Sequence, residues 1–188
     1  MSRTILAFDT PARLADWLAA HHASARELWV RIYKAGSGTP SVTWSDCVVE
    51  AIAFGWIDGQ KQSLDAVSYL QRLTPRKPGS NWSKKNCEHA TRLIGEGRMT
   101  PAGLAQVDAA KAAGRWDNAY AGSAGMSIPE DFLEALEARP AAKAFFQNLD
   151  RKNLFPIYYR LQTAKRPETR AKRMAEILAK LDRGERFH

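Results

Sequence analysis

No stretch of this 188-residue chain runs apolar for the roughly 18 residues that a membrane-crossing helix requires, so no span is expected. The start, MSRTILAFDT, has one arginine and an apolar run of only Ile5 to Phe8, too short for the core of a secretory leader. The expected location is cytoplasmic. Cysteine is scarce: Cys47 and Cys87 are the two, and neither lies in a CxxC. No metal site is expected from them, and in that compartment they should be thiols. The Gly-rich GxGxxG and P-loop signatures are missing, as is GxSxG, so no cofactor is expected and no serine nucleophile stands out. Cys87 and His89 are two apart in a helical pattern and cannot face each other, which leaves no local Cys–His pair.

What is present is an ordinary globular composition, 45% hydrophobic and 26% charged, with a net charge of +8. The charge is uneven. Arg151 to His188 holds 11 basic and 4 acidic residues, whereas the first 150 hold 17 and 16. Within that near-neutral part, Arg72 to Lys85 carries Arg72, Arg76, Lys77, Lys84 and Lys85 with no acid. Such clusters suit phosphate, nucleic acid or acidic partners, or are simply a solvated surface.

Periodicity places strands early and helices late. Ile5–Phe8 reads as a short strand, and Thr10-Pro11 as the cap and first turn of a helix with Leu14, Trp17 and Leu18. Glu27–Lys34 alternates with period two, AGSGTP (35–40) is a loop, and Thr43–Phe54 is a helix stopped by Gly55. Trp56–Gln62 and Val67–Thr74 form a hairpin about Ser63–Ala66. Helices follow from Ser80–Ser83, from Thr100-Pro101 with Leu104 and Val107 inward, and from a Ser127…Glu130 capping box. Two more start at Pro140 and near Leu154, and a last one at Pro167 sets Arg170, Lys172, Arg173 and Lys180 opposite an apolar stripe. Segregated strands and helices predict an α+β fold: a small antiparallel sheet packed with helices, then a C-terminal helical segment. The expected domains are 1–120 and 125–188, divided at the small, uncharged Ala121–Ala124.

Two stretches can carry chemistry. FGWIDGQ (54–60) sets Asp58 between Trp56 and Gly59, in a strand or at its end. A hairpin turning at Ser63–Ala66 brings Asp58 opposite Tyr69 to Gln71 with Arg72 close by. The pair is then either a structural ion pair or a carboxylate in a cleft, where Asp58 would serve as general base. QRLTPRKPGSNWSKKN (71–86) joins a loop, a basic cluster, a tryptophan and a helix start. Arg72 and Arg76 can grip an anion, Ser80 and Asn81 can cap or bind, Trp82 can stack, and Lys84 adds charge at the positive helix end. The alternative is a capped helix with Trp82 in the core.

At GWIDGQK, QRLTPRKPGSNWSKKN, EGRMTPAGLAQVDAAKAAGRWDNAY and YRLQTAKRPETRAKR the chain resembles the YdeI/OmpD-associated, or bacteriocin-protection, family, from about Glu27 to Gly184. The resemblance implies a role in stress or bacteriocin resistance and brings no catalytic residues. Three readings follow. The first is a non-enzymatic binding module for an anionic ligand, either a small phosphorylated or carboxylated metabolite or nucleic acid. The second is an enzyme using Asp58 as base, and the third a protein–protein interaction module.

Overall fold

The structure is a computed structural model that describes residues 3–188. The chain forms two compact units, Met1–Ala119 and Tyr120–His188.

The first unit is α+β. Strand β1 (Ile5–Ala7) leads through helix α1 (Pro11–His21) to β2 (Leu28–Tyr33); helix α2 (Trp44–Ala53) then precedes the hairpin β3 (Trp56–Ser63) and β4 (Ser68–Pro75). The sheet order is β1-β2-β4-β3. It is mixed rather than purely antiparallel, because β1 pairs with β2 in parallel. The physical reason is local: a strand, a helix and a strand in succession form a crossover, which is how parallel neighbours are joined. Helices α3 (Lys84–Gly95) and α4 (Pro101–Ala112) complete the unit.

Caps set the helix starts. Thr10, Thr43, Ser83 and Thr100 each accept from a backbone N–H three residues on, and Thr43 with Asp46 closes a full capping box. The alternation of β2 sorts its side chains. Leu28, Val30 and Ile32 join Leu14 and Leu18 of α1, Cys47 and Ala51 of α2, Trp56 and Leu73 in one core. The opposite sheet face carries Trp29, Arg31, Tyr33, Leu70 and Arg72. A second core joins Val48 and Ile52 of α2 to Trp82, Leu93 and Val107. Val107 is buried as expected, but Leu104 is 37% exposed, rotated one residue off the packed face of Gly103, Val107 and Ala110.

The join between α2 and α4 is a close backbone approach. Thr100 donates both its amide, at 3.1 Å, and its hydroxyl, at 2.7 Å, to the Ala53 carbonyl. The positive start of α4 thus meets the negative end of α2. Gly103 makes the contact: a Cβ there would lie 2.4 Å from the Ala53 oxygen and 2.9 Å from that of Ile52. Gly55, at φ +74°, ends α2 in the left-handed region and leads into β3.

The second unit is helical: a short 3-10 turn at Ser123–Gly125, then α5 (Glu130–Glu137), α6 (Pro140–Gln147), α7 (Arg151–Gln162) and α8 (Pro167–Asp182) around Phe132, Leu136, Ile157, Leu161, Ile177 and Leu181. The Ser127…Glu130 box does not form. Pro129 stands at the cap with no side-chain bond, and α5 begins at Glu130 itself. No described helix is long and apolar enough to cross a membrane.

Candidate functional site

The hairpin does not build the clamp expected of it. Asp58 pairs with Leu73, and a bulge between Asp58 and Lys61 shifts the register beyond it. The Gln71 amide, buried inside the sheet, holds the bulge by donating to the Gly59 carbonyl at 2.9 Å. Arg72 therefore does not meet Asp58. It points to the opposite face and pairs with Glu27 at 2.7 Å. That hydrogen bond, foremost, holds the Glu27 carboxyl below the usual carboxylate range. Asp58 instead accepts from the indole N–H of the exposed Trp44 at 3.1 Å. Trp56 is 1% exposed, in the core, with its indole N–H donating to the His22 carbonyl at 3.1 Å. A ligand has no access to it there. Cys47 is buried, and burial, then the Asp46 and Asp58 charges, push its thiol up to about 12.

The loop after β4 gathers the other expected residues. Arg76 is buried at 5% exposure, and its amide donates to the Gly55 carbonyl at 3.0 Å. Its guanidinium lies 3.8 Å above the Trp82 ring and donates to the Asn81 carbonyl at 3.2 Å. Trp82 in turn packs on Trp116, ring centres 5.2 Å apart. So Arg76, Asn81 and Trp82 meet, but Arg76 and Trp82 do so as a buried stack. Ser80 closes a turn by donating its amide to the Lys77 carbonyl at 3.0 Å, and Ser83 takes the cap of α3. Lys84, first residue of α3, reaches the surface.

From Lys84 an open cleft of about 560 Å³ runs along α3. Lys84, Cys87, Glu88, Thr91 and Arg92 form its floor, and Trp116 with Asp117 its far wall. The floor follows the i, i+3, i+4, i+7, i+8 spacing of one helix face. That periodicity is the signal that sequence reading of the helix start overlooked. The wall comes from a distant segment and left no such mark. The cleft's charges are mixed: Lys85 takes Glu88 at 3.1 Å, and Arg92 takes Glu96 at 3.3 Å. Burial pushes the half-buried Cys87 thiol up to about 11, against the pull of the Arg76 guanidinium.

Residues 6–106, more than half of the chain, match the family described as Domain of unknown function (DUF8412). The chain belongs to that family. Residues 126–184 match Bacteriocin-protection, YdeI or OmpD-Associated. The resemblance read from the sequence is therefore real over the C-terminal part, and the match is shorter than the span from Glu27 expected for it. No curated protein matches, and no solved structure does.

The YdeI/OmpD-associated part holds the excess positive charge, and the fold commits much of it internally. Arg170 grips Asp131 with Nη2 at 2.7 Å and Nε at 3.1 Å, and reaches the Leu161 carbonyl at 2.8 Å. Arg173 donates to the Arg160 carbonyl at 2.7 Å, and Lys180 lies 4.7 Å over the Phe187 ring. Of the basic stripe expected on α8, Arg170 and Arg173 are thus tied to neighbouring helices and Lys180 lies on the segment that follows α8.

Proposed function

We propose that this DUF8412 chain is a non-enzymatic binding module whose ligand lies in the cleft along α3. The ligand is small and anionic, with a carboxylate or phosphate on an apolar or aromatic body. One observation carries the reading. An open cleft has Lys84 and the positive end of α3 at one end and Trp116 along its wall. The anionic group would meet Lys84, and the body would lie on the indole. The stack of Arg76 on Trp82, behind Trp116, would hold that wall in place and add positive potential without touching ligand. A role in bacteriocin protection or stress would accord with the description of the family matched by residues 126–184.

The test is a thermal-shift screen with aromatic carboxylates and phosphorylated metabolites. A ligand at about 100 times its Kd stabilises by about 2.7 kcal/mol, which is roughly 5–10 °C here. Lys84→Glu, and Thr91→Arg to fill the cleft, should abolish the shift while both variants keep the unliganded Tm. Lys172→Ala on α8 should leave it intact. A shift that survives both cleft substitutions places the ligand elsewhere and refutes the proposal.

A further inference from the structure

The helices α1 and α2 cover one face of the sheet, and the other carries an arrangement unlike the rest of the surface. Trp29 and Leu70 lie there at 2% exposure each, yet belong to none of the apolar cores. Arginines roof them. The Arg3 guanidinium sits 4.5 Å above the Trp29 ring and donates to the Gln62 side chain at 3.0 Å. Arg3 precedes β1 and Gln62 lies on β3, the two edge strands, so this contact straps the whole face. One row on, the Arg31 guanidinium sits 4.7 Å over Tyr33 while pairing with Asp65 at 2.7 Å. Beside Trp29, across the β2–β4 ladder, Arg72 pairs with Glu27.

We propose that this face is a docking surface for single-stranded nucleic acid. The argument is complementarity of charge and of shape. Among the described residues of the face, Arg3, Arg31 and Arg72 oppose only Glu27 and Asp65, so it stays positive. The Arg31 and Arg72 pairs are a third or more solvent-exposed, 33% and 40% on the arginine side. Pairs so screened are weak, and a phosphate can replace the carboxylate partner at little cost. Arg3 and Arg31 already sit over aromatic rings, and Arg72 stands beside Trp29 across the ladder. If Arg3 and Arg31 swing to phosphates, the rings of Trp29 and Tyr33 come free for bases. Stacking with phosphate contacts, and no sequence code, is how open sheets hold single strands. A duplex, whose bases are stacked away, offers no such match.

Fluorescence anisotropy with labelled oligothymidylate and oligouridylate tests this on the full chain. Binding at low salt should weaken roughly 20-fold between about 50 and 200 mM salt, as three phosphate contacts to a single strand predict. The double substitution Arg3→Ala/Tyr33→Ala should weaken it at least tenfold with the variant still folded at the assay temperature by circular dichroism, at a modest fall in Tm from the lost contacts with Gln62, Trp29 and Arg31. Lys165→Ala/Lys172→Ala should leave it unchanged, as should Lys84→Glu in the α3 cleft. No binding at low salt overturns the proposal. So does equal binding of duplex, loss through the α8 substitutions rather than those on the sheet, or full competition by polyglutamate, which would make the surface an acidic-peptide site.

Discussion

Replacing Gly103 with alanine separates two opposed effects. In an unencumbered helix the change stabilises by about 0.8–1.0 kcal/mol, because glycine has the poorer propensity. Here the new Cβ meets the Ala53 oxygen and the Met99 sulfur, each at 2.4 Å, and the Ile52 oxygen at 2.9 Å. The methionine can turn away. The two carbonyls are the last turn of α2 and cannot. Restoring ordinary contact distance takes about 1 Å of separation between the helices, which stretches both Thr100 bonds to Ala53. Losing those bonds costs ~1 kcal/mol each, and overpacking adds ~1–3 kcal/mol. After the propensity gain the net loss is about 2–4 kcal/mol, or roughly 6–12 °C in Tm at about 3 °C per kcal/mol. Differential scanning calorimetry of the variant beside Gly95→Ala settles it. Gly95 lies in the last turn of α3, and a Cβ added there would have nothing within 4 Å, so alanine should leave Tm level or slightly raised. A Gly103→Ala protein that melts as high as the parent refutes the reasoning, since the helices would then have slack to separate. The displacement has a second consequence, because α4 leads directly to Trp116. The same variant should bind any cleft ligand more weakly.

Three further outcomes follow from single groups. At pH 8 a thiol at about 11 is ~0.1% thiolate and one at about 12 is ~0.01%, so both cysteines should alkylate slowly in the native protein, Cys87 before Cys47, and rapidly once unfolded; quick native labelling of Cys47 would contradict its burial. Asn153 is buried, donates to Asp150 at 2.8 Å, and accepts from the amides of Phe187 at 2.8 Å and His188 at 3.0 Å, so Asn153→Ala should cost ~2 kcal/mol and free the C-terminal residues to exchange amide hydrogens faster. Glu27 has its folded-state pKa depressed by Arg72, so its contribution is full above the unfolded carboxylate value and lost as pH falls through the folded value; in Arg72→Gln the Glu27 titration followed by NMR should move up, and an unchanged midpoint would mean the ion pair is not formed in solution.

The parts of this fold that were legible in the sequence are those fixed within a turn or two of chain. Thr10-Pro11 and Gly55 announce their helix ends because cap and helix are neighbours. The period of two in Leu28–Tyr33 states which side chains face α1 and α2. Register is a different matter. The bulge at Gly59–Gln60 is pinned by Gln71, 12 residues away in sequence, and one slipped residue reverses which face a side chain takes. Without the bulge, the pairing of Lys61 with Gln71 would run on to set Asp58 opposite Thr74, on the Arg72 face; with it Asp58 pairs with Leu73, and the two stand on opposite faces with other partners. Trp56 likewise depends on the His22 carbonyl, 34 residues distant. The cleft was half legible: its floor is a helix face, while Trp116 arrives only through the folding of α4 onto α2.

Net charge by segment was a poor guide to which cations the fold leaves available, and the reason is structural. From Arg151 onward the sequence counts 11 basic residues against 4 acidic, which reads as a surface for polyanions. In the fold, Arg170 spans Asp131 and the end of α7, Arg173 bonds two groups around the same turn, and Arg151 reaches the Ser123 carbonyl at 3.2 Å. An arginine so held cannot leave for a phosphate without breaking several bonds to charged and carbonyl oxygens, each of the stronger kind. The first 150 residues are almost neutral by count, yet there the sheet sets Arg3 and Arg31 on aromatic rings, with exposed partners at Gln62 and Asp65 and one buried partner, Ser68, on Arg31. What makes a cation available is the number and burial of the bonds it must give up, and that is decided by packing between distant segments. The balance of signs along the chain does not contain it.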